Sequence, residues 1–129
     1  MKRLLPLLAI PLASCATSKA PDVSPVEDIQ YHATSHDPFW SLAIGQDQVL
    51  LTVGPPGGRA DGELTSMSYP PPMAREHKGV MGWTSGGGRG AITVWAKPEP
   101  CTTGGRRYAE TVTVLITGRK LHGCGGREL

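Results

Sequence analysis

Three cysteines are the most reactive side chains in this 129-residue sequence. Cys15 ends an apolar run, and Cys101 and Cys124 stand near the C-terminus. A thiol can carry a lipid, join a disulfide or bind a metal. Because the number is odd, one thiol lacks a disulfide partner wherever thiols are oxidised, so at least one cysteine is expected to have another role.

The residue types of a catalytic triad stand side by side at Ser35, His36 and Asp37. Neighbouring residues of an extended segment point to opposite faces, so these three cannot form a working triad together. The sequence also contains no Gly-x-Ser-x-Gly motif, the turn that presents the nucleophile of α/β-hydrolases. We therefore expect no catalytic residue and no enzymatic activity.

A glycine-rich segment, Gly86-x-Gly88-x-x-Ala91, matches the letters of a dinucleotide-binding loop. That fingerprint requires a strand before it and a helix after it. Here the flanking residues alternate between apolar and polar types, which indicates a strand on each side. We interpret the segment as a loop between two strands and expect no cofactor.

Four histidines are candidate ligands for copper or zinc. No Cys-x-x-Cys motif or histidine-rich tract accompanies them. We predict scattered surface histidines and no metal site, with a metal-binding or metal-stress protein as the alternative. The four residues are His32, His36, His77 and His122.

Residues 1–14 have the three parts of a secretory signal peptide. Lys2 and Arg3 form the basic start, residues 4–12 form an apolar stretch interrupted by two prolines, and small residues follow. The stretch is too short to span a bilayer, which needs ~20 residues. The tetrapeptide Leu12-Ala13-Ser14-Cys15 resembles the lipobox of bacterial lipoproteins.

This resemblance implies an anchor and a location. In lipoproteins the thiol is joined to diacylglycerol and the signal is cut before the cysteine, so Cys15 would become an acylated first residue. Ala16 follows it, as in the class sorted to the outer membrane. We expect an envelope protein held in the membrane by its lipid and facing the periplasm. The alternative is an ordinary cleaved signal with an incidental cysteine.

The chain that would follow the signal peptide has no net charge, because Lys2 and Arg3 supply the whole net charge of +2. A neutral chain argues against a nucleic-acid partner, which needs a basic face. Residues 15–30 show no clear period, and we interpret them as a lipidated, flexible tether. A short helix at residues 25–30 is the alternative. Residues 31–129 would form one domain.

From Tyr31 onward, apolar residues recur with a period of two. The clearest example is residues 108–117, where Val112, Val114 and Ile116 alternate with threonines. Such alternation predicts half-buried antiparallel strands, and glycine- and proline-rich segments between the runs predict turns. We predict an all-β fold, a small antiparallel meander that forms a sandwich or barrel of six to eight short strands.

With Cys15 assigned to lipid, Cys101 and Cys124 form an even pair in an exported domain. We predict a disulfide between them. Cys101 precedes the long strand and Cys124 follows the hairpin after it, so strands running down and back can bring them together. The alternative is a thiol or metal site that combines Cys124 with His122.

The domain also resembles a group of small bacterial envelope proteins and lipoproteins. Their opening motif, (N/D)EPFW, is similar to residues 36–40, and their G-x-x-L-x-G-C motif is similar to residues 118–124. Cys101 and Tyr108 match a cysteine and a tyrosine-led strand between the two motifs. The group has no established reaction, and some members occur beside META-type domains. The resemblance therefore implies an envelope β-domain without implying an activity.

Large aromatic residues suggest a binding surface. Trp40 shares its face with Leu42 and is predicted to lie in the core. Phe39 and Trp95 are out of phase with their apolar neighbours, so we predict that they and Asp37 form an exposed surface for a small envelope ligand or protein. The alternative is an inhibitor or sensor, because residues 104–108 resemble a loop of the small lipoproteins that block lysozyme.

Overall fold

The structure is a computed structural model that describes residues 25–55 and 63–129. The predicted signal peptide, the predicted acylation site Cys15 and most of the predicted tether lie outside the described residues. Ten strands and one turn of 3-10 helix, Gly88–Gly90, make up the described fold. The strands are β1 Ile29–His36, β2 Phe39–Gly45, β3 Val49–Val53, β4 Thr65–Tyr69, β5 Met73–His77, β6 Val80–Ser85, β7 Ile92–Lys97, β8 Cys101–Thr103, β9 Arg106–Ile116 and β10 Arg119–Glu128.

The all-β prediction is confirmed, with more strands than the six to eight expected. The additional ones, β5 and β8, contain no buried residue and show no apolar alternation that would identify them. β1 begins at Ile29 and Gln30, which the sequence analysis assigns to the tether. The alternative of a helix at residues 25–30 is therefore wrong. The glycine-rich segment connects β6 to β7, as predicted.

The strands form one antiparallel sheet in the order β4-β3-β2-β1-β10-β9-β7-β6-β5, with β8 paired to the start of β9. The edge strands β4 and β5 are joined by residues 70–72, all proline, so the sheet must coil to bring its edges near each other. The Ser85 hydroxyl donates to the Pro70 carbonyl across this corner, at 2.5 Å. The result is a barrel-like sheet that remains open between β4 and β5.

The core lies inside the coiled sheet. The alternating residues of β2, β3, β7 and β9 point inward, and Leu42, Leu51, Val112 and Val114 are fully buried. Trp40 is also buried, as predicted, and its indole Nε1 donates to the carbonyl of His122 at 3.2 Å. The core is therefore built from the residues whose period of two identified the strands.

Gly123 of β10 lies directly beneath Trp40. A methyl group at position 123 would collide with the Trp40 ring and with the backbone carbonyl of Thr34. Because Gly123 has no side chain, the Trp40 indole of β2 can pack against the backbone of β10. In the sheet, β1 lies between these two strands. This close approach joins the N-terminal and C-terminal parts of the domain.

Cys101 and Cys124 form a disulfide, with their Cα atoms 5.3 Å apart. The predicted pairing is therefore confirmed, and the alternative of a thiol or metal site at Cys124 is wrong. The bridge holds β8 against β10, and the backbone N–H of His36 donates to the Thr103 hydroxyl at 2.8 Å. Together these contacts fix the short β8 beside the turn between β1 and β2.

Candidate functional site

The three residues predicted to form a binding surface do not come together. Asp37 is exposed in the turn between β1 and β2. Phe39 begins β2, where it is half-buried and its carbonyl accepts a hydrogen bond from the Gly54 N–H at 3.0 Å. Trp95 lies on β7, and three strands separate β7 from β2 in the sheet. Of the three, Trp95 is the residue that lies in a large cavity.

That cavity is a groove of about 590 Å³ on the outer face of β5, β6 and β7. Trp95 remains 39% exposed there. We call this cavity the β5–β7 groove throughout. It is lined by Met73, Ala74, Arg75, His77, Lys78, Val80, Gly82, Trp83, Thr84, Thr93 and Trp95.

One row of paired residues crosses the floor of the β5–β7 groove. Arg75 pairs with Gly82, and Gly82 pairs with Trp95, so all three lie on the same face of three adjacent strands. A Cβ atom on Gly82 would lie 3.5 Å from Cδ1 of Trp95. The indole therefore covers the bare backbone of β6 and extends toward Arg75.

Positive charge surrounds this aromatic floor. Arg75, His77 and Lys78 are all exposed, and the described lining residues include no carboxylate. Within the described ranges, the ion pairs found, Lys97–Glu99 and Arg106–Glu128, involve none of these side chains. An arginine fork binds a carboxylate or phosphate through two hydrogen bonds, and an indole stacks on flat apolar groups. The groove is therefore suited to an anion that carries an apolar portion.

Met73 adds an adaptable apolar wall to the groove. Met73 is 73% exposed, the largest value among the exposed large hydrophobic residues that the structure describes. Methionine adjusts its shape to different partners because its side chain is unbranched and polarizable. The groove thus combines fixed charge with a flexible apolar rim. Neither the period nor the composition of β5 indicated this arrangement.

A separate polar pair lies inside the sheet. The Tyr31 hydroxyl donates to Glu110 Oε1 at 2.5 Å, and the Tyr31 ring packs on Trp83 with ring centroids 4.6 Å apart. Burial and the adjacent Glu110 carboxylate raise the pKa of Tyr31 well above its ordinary value. The hydroxyl therefore stays protonated and braces β1 against β9. Sequence analysis missed this pair because 79 positions separate its members.

The remaining candidate residues are dispersed. Ser35 is buried on the inner face and His36 is exposed, which confirms that the triad-like neighbours point in opposite directions. Within residues 25–55 and 63–129, no three His, Cys, Asp or Glu side chains are close enough to hold one metal ion. His32, for example, contacts the Ser41 hydroxyl, with 3.4 Å between Nε2 and Oγ.

His32 gives the fold a pH dependence. His32 is exposed over part of its surface, and the partial burial of its ring lowers its pKa, so the unfolded chain binds a proton more readily than the folded chain. This histidine leaves stability unaffected above about pH 6.5 and reduces it as the pH falls toward the lowered pKa of the folded state. We expect His32→Gln to lose less stability than the wild type between about pH 7.5 and 5.5 in urea unfolding.

The matched control is His122→Gln, which changes an exposed histidine on β10. It should retain the wild-type change in urea midpoint between the two pH values. Equal pH dependence in His32→Gln and the wild type would contradict the assignment to His32.

Comparison with known proteins finds no matching family model, no matching curated protein and no matching solved structure. In the described part of the chain, no helix has the length and apolar character needed to cross a membrane. The function is therefore argued from the residues and their geometry.

Proposed function

We propose that this chain is a lipid-anchored protein of the bacterial envelope that acts by binding, with its domain facing the periplasm from the outer membrane. The lipobox-like residues 12–15 support the anchor, and Ala16 supports outer-membrane sorting. The Cys101–Cys124 disulfide supports an oxidising compartment, where such bonds persist.

The anchor can be tested by intact mass spectrometry and fractionation of a bacterial host. The expected product begins at Cys15, carries acyl chains and sediments with membranes, because two or more chains hold a protein stably in a bilayer. Cys15→Ala should remain unacylated and leave the membrane fraction. A wild-type product with an unmodified Cys15 thiol would refute this part of the proposal.

The ligand that we propose is an anion with an apolar portion, bound in the β5–β7 groove. The observation that carries this proposal is the row formed by Arg75, Gly82 and Trp95, with basic side chains around it and no carboxylate among the described lining residues. Arg75 would bind the anionic group, and the Trp95 indole would cover the apolar part.

A simple probe of this chemistry is 2-naphthalenesulfonate, which joins a flat ring system to one anionic group. Isothermal titration of the full-length protein in non-ionic detergent should detect binding. We expect Arg75→Glu and Trp95→Ala each to weaken it by about tenfold or more, because a charge-assisted contact or a stacking partner is lost.

The charge-matched control is Arg119→Glu, at the start of β10 and outside the groove lining. It should bind the probe like the wild type. Unchanged affinity in both Arg75→Glu and Trp95→Ala would show that the β5–β7 groove is not the site.

A further inference from the structure

β5 is a free edge of the sheet, beside the β5–β7 groove. It stands last in the strand order, pairs with β6 on one side and has all five of its residues exposed. A free edge presents unpaired backbone N–H and C=O groups to any extended chain that approaches it. Among the described residues no strand occupies its other partner position, which is therefore available to an added strand.

The turn after β5 determines which backbone groups face outward. Lys78 and Gly79 have φ values of 52° and 83°, the signature of a two-residue type I′ hairpin turn. Such a turn is closed by a hydrogen bond between its flanking residues, here His77 and Val80. Hydrogen-bonded pairs alternate along an antiparallel ladder. The N–H and C=O groups of Ala74 and Glu76 therefore point away from β6, toward the open side.

The groove cations lie on one face of this edge. Arg75 and His77 share the outer face with Trp95, whereas Glu76 belongs to the opposite face because successive residues alternate. An added strand would lie ~4.8 Å from β5 and place every second side chain on the face that carries Arg75 and His77. Acidic side chains at those positions would meet the arginine and complement the charge of the groove.

We propose that the ligand of the β5–β7 groove is an extended acidic peptide segment that pairs with β5 as an additional strand. This inference rests on the proposed function, because it takes the groove as the binding site. Backbone hydrogen bonds to Ala74 and Glu76 hold the segment, and alternate acidic side chains reach Arg75 and His77. This is peptide recognition by strand addition, in which the main chain supplies affinity and the side chains supply specificity.

A second copy of this chain fits the edge less well. Two copies of β5 paired antiparallel would be related by a two-fold axis normal to the sheet. Each residue would then lie opposite a residue whose side chain points to the same face of the sheet. Centring the axis on position 75 places Arg75 opposite Arg75, and centring it on position 76 places Glu76 opposite Glu76. Centring it on position 74 opposes no like charges but pairs only the three residues Met73–Arg75 of the strand. Like charges directly opposite each other destabilise a sheet. The other edge, β4, carries no charged residue and offers no comparable recognition.

The test uses a fluorescein-labelled seven-residue peptide in which glutamate alternates with valine, with fluorescence anisotropy of the full-length protein as the readout. Two control peptides replace glutamate by lysine or methylate every backbone amide. We expect the acidic peptide to bind, and each control to bind about tenfold or more weakly, because charge or strand hydrogen bonds are lost. Equal binding of the methylated peptide would overturn strand addition.

Glu76→Pro removes one outward N–H of β5, and Glu76 is not among the described residues that line the groove, so the basic side chains of the groove are preserved. Proline is tolerated on edge strands where its missing N–H faces away from the sheet. We expect this variant to bind the acidic peptide about tenfold or more weakly and to retain its affinity for 2-naphthalenesulfonate. The matched control, Glu76→Val, also removes the carboxylate but keeps the N–H, and it should bind both probes.

The outcomes separate the two proposals. If Arg75→Glu and Trp95→Ala both bind 2-naphthalenesulfonate like the wild type, the β5–β7 groove is not the binding site. Wild-type peptide affinity in Glu76→Pro, with that groove response intact, overturns strand addition alone. If Glu76→Pro loses both probes through misfolding, the methylated peptide on the wild-type protein decides. A wild-type dimer that Glu76→Pro converts to monomer assigns the edge to a second copy and overturns the peptide proposal.

Discussion

Replacing both Cys101 and Cys124 by alanine is expected to lower the free energy of unfolding by about 3.4 kcal/mol, because the disulfide closes a loop between residues 23 positions apart. The bridge restricts the unfolded chain more than the folded one, and losing that restriction favours unfolding. Small domains have stabilities of only ~5–15 kcal/mol, so the loss is a large fraction of the total. Urea unfolding at equilibrium measures it.

A reducing agent supplies the matched control. It should destabilise the wild-type domain by about the same amount and leave the double alanine variant unchanged, because the variant has no bridge to reduce. A wild-type stability that stays constant under full reduction would contradict a stabilising role for the disulfide. The three residues of β8 depend on this bridge and on pairing with β9.

Trp40→Ala is expected to cost about 3–5 kcal/mol, the range for removing a buried aromatic side chain. The ring is 1% exposed and lies over Gly123, where no side chain can fill the cavity. The substitution also leaves the His122 carbonyl without the 3.2 Å hydrogen bond from the indole. The loss combines missing contacts with an unpaired polar group.

The matched control is Trp95→Ala, the same substitution on the outer face. Trp95 is 39% exposed, so we expect a loss of less than about 1 kcal/mol in stability. Urea or thermal unfolding of the two variants should therefore separate them clearly, although only Trp95→Ala is expected to impair probe binding. Equal destabilisation would mean that Trp95 contributes to the core, which would weaken its assignment to the groove.

The strands that stabilise the domain differ in part from those that form the proposed binding site. The central strands β2, β7 and β9 supply much of the buried core, and β8 and β10 carry the disulfide. The proposed site instead extends to β5, which buries no residue. Segments with little buried surface open most easily, so an edge of this kind can adapt to a partner while the core stays intact.

The sequence by itself determined the parts of this protein that depend on local pattern. The period of two identified β2, β3, β7 and the long strand β9, because side chains alternate across a half-buried sheet. The same alternation placed Trp40 in the core. The cysteine pairing was also accessible, because assigning Cys15 to the predicted lipid anchor leaves two cysteines and one possible disulfide between them.

Only the tertiary structure decided which faces meet. β5 shows no apolar alternation, and all five of its residues are exposed. β8 is held in place by the disulfide and by pairing with β9 rather than by burial. Tyr31 and Glu110 are 79 positions apart and become neighbours when the sheet coils. The row of Arg75, Gly82 and Trp95 likewise depends on the register of three strands, which a local period cannot specify. Trp95 could be identified as exposed from sequence, but the charged groove around it arises from strand order.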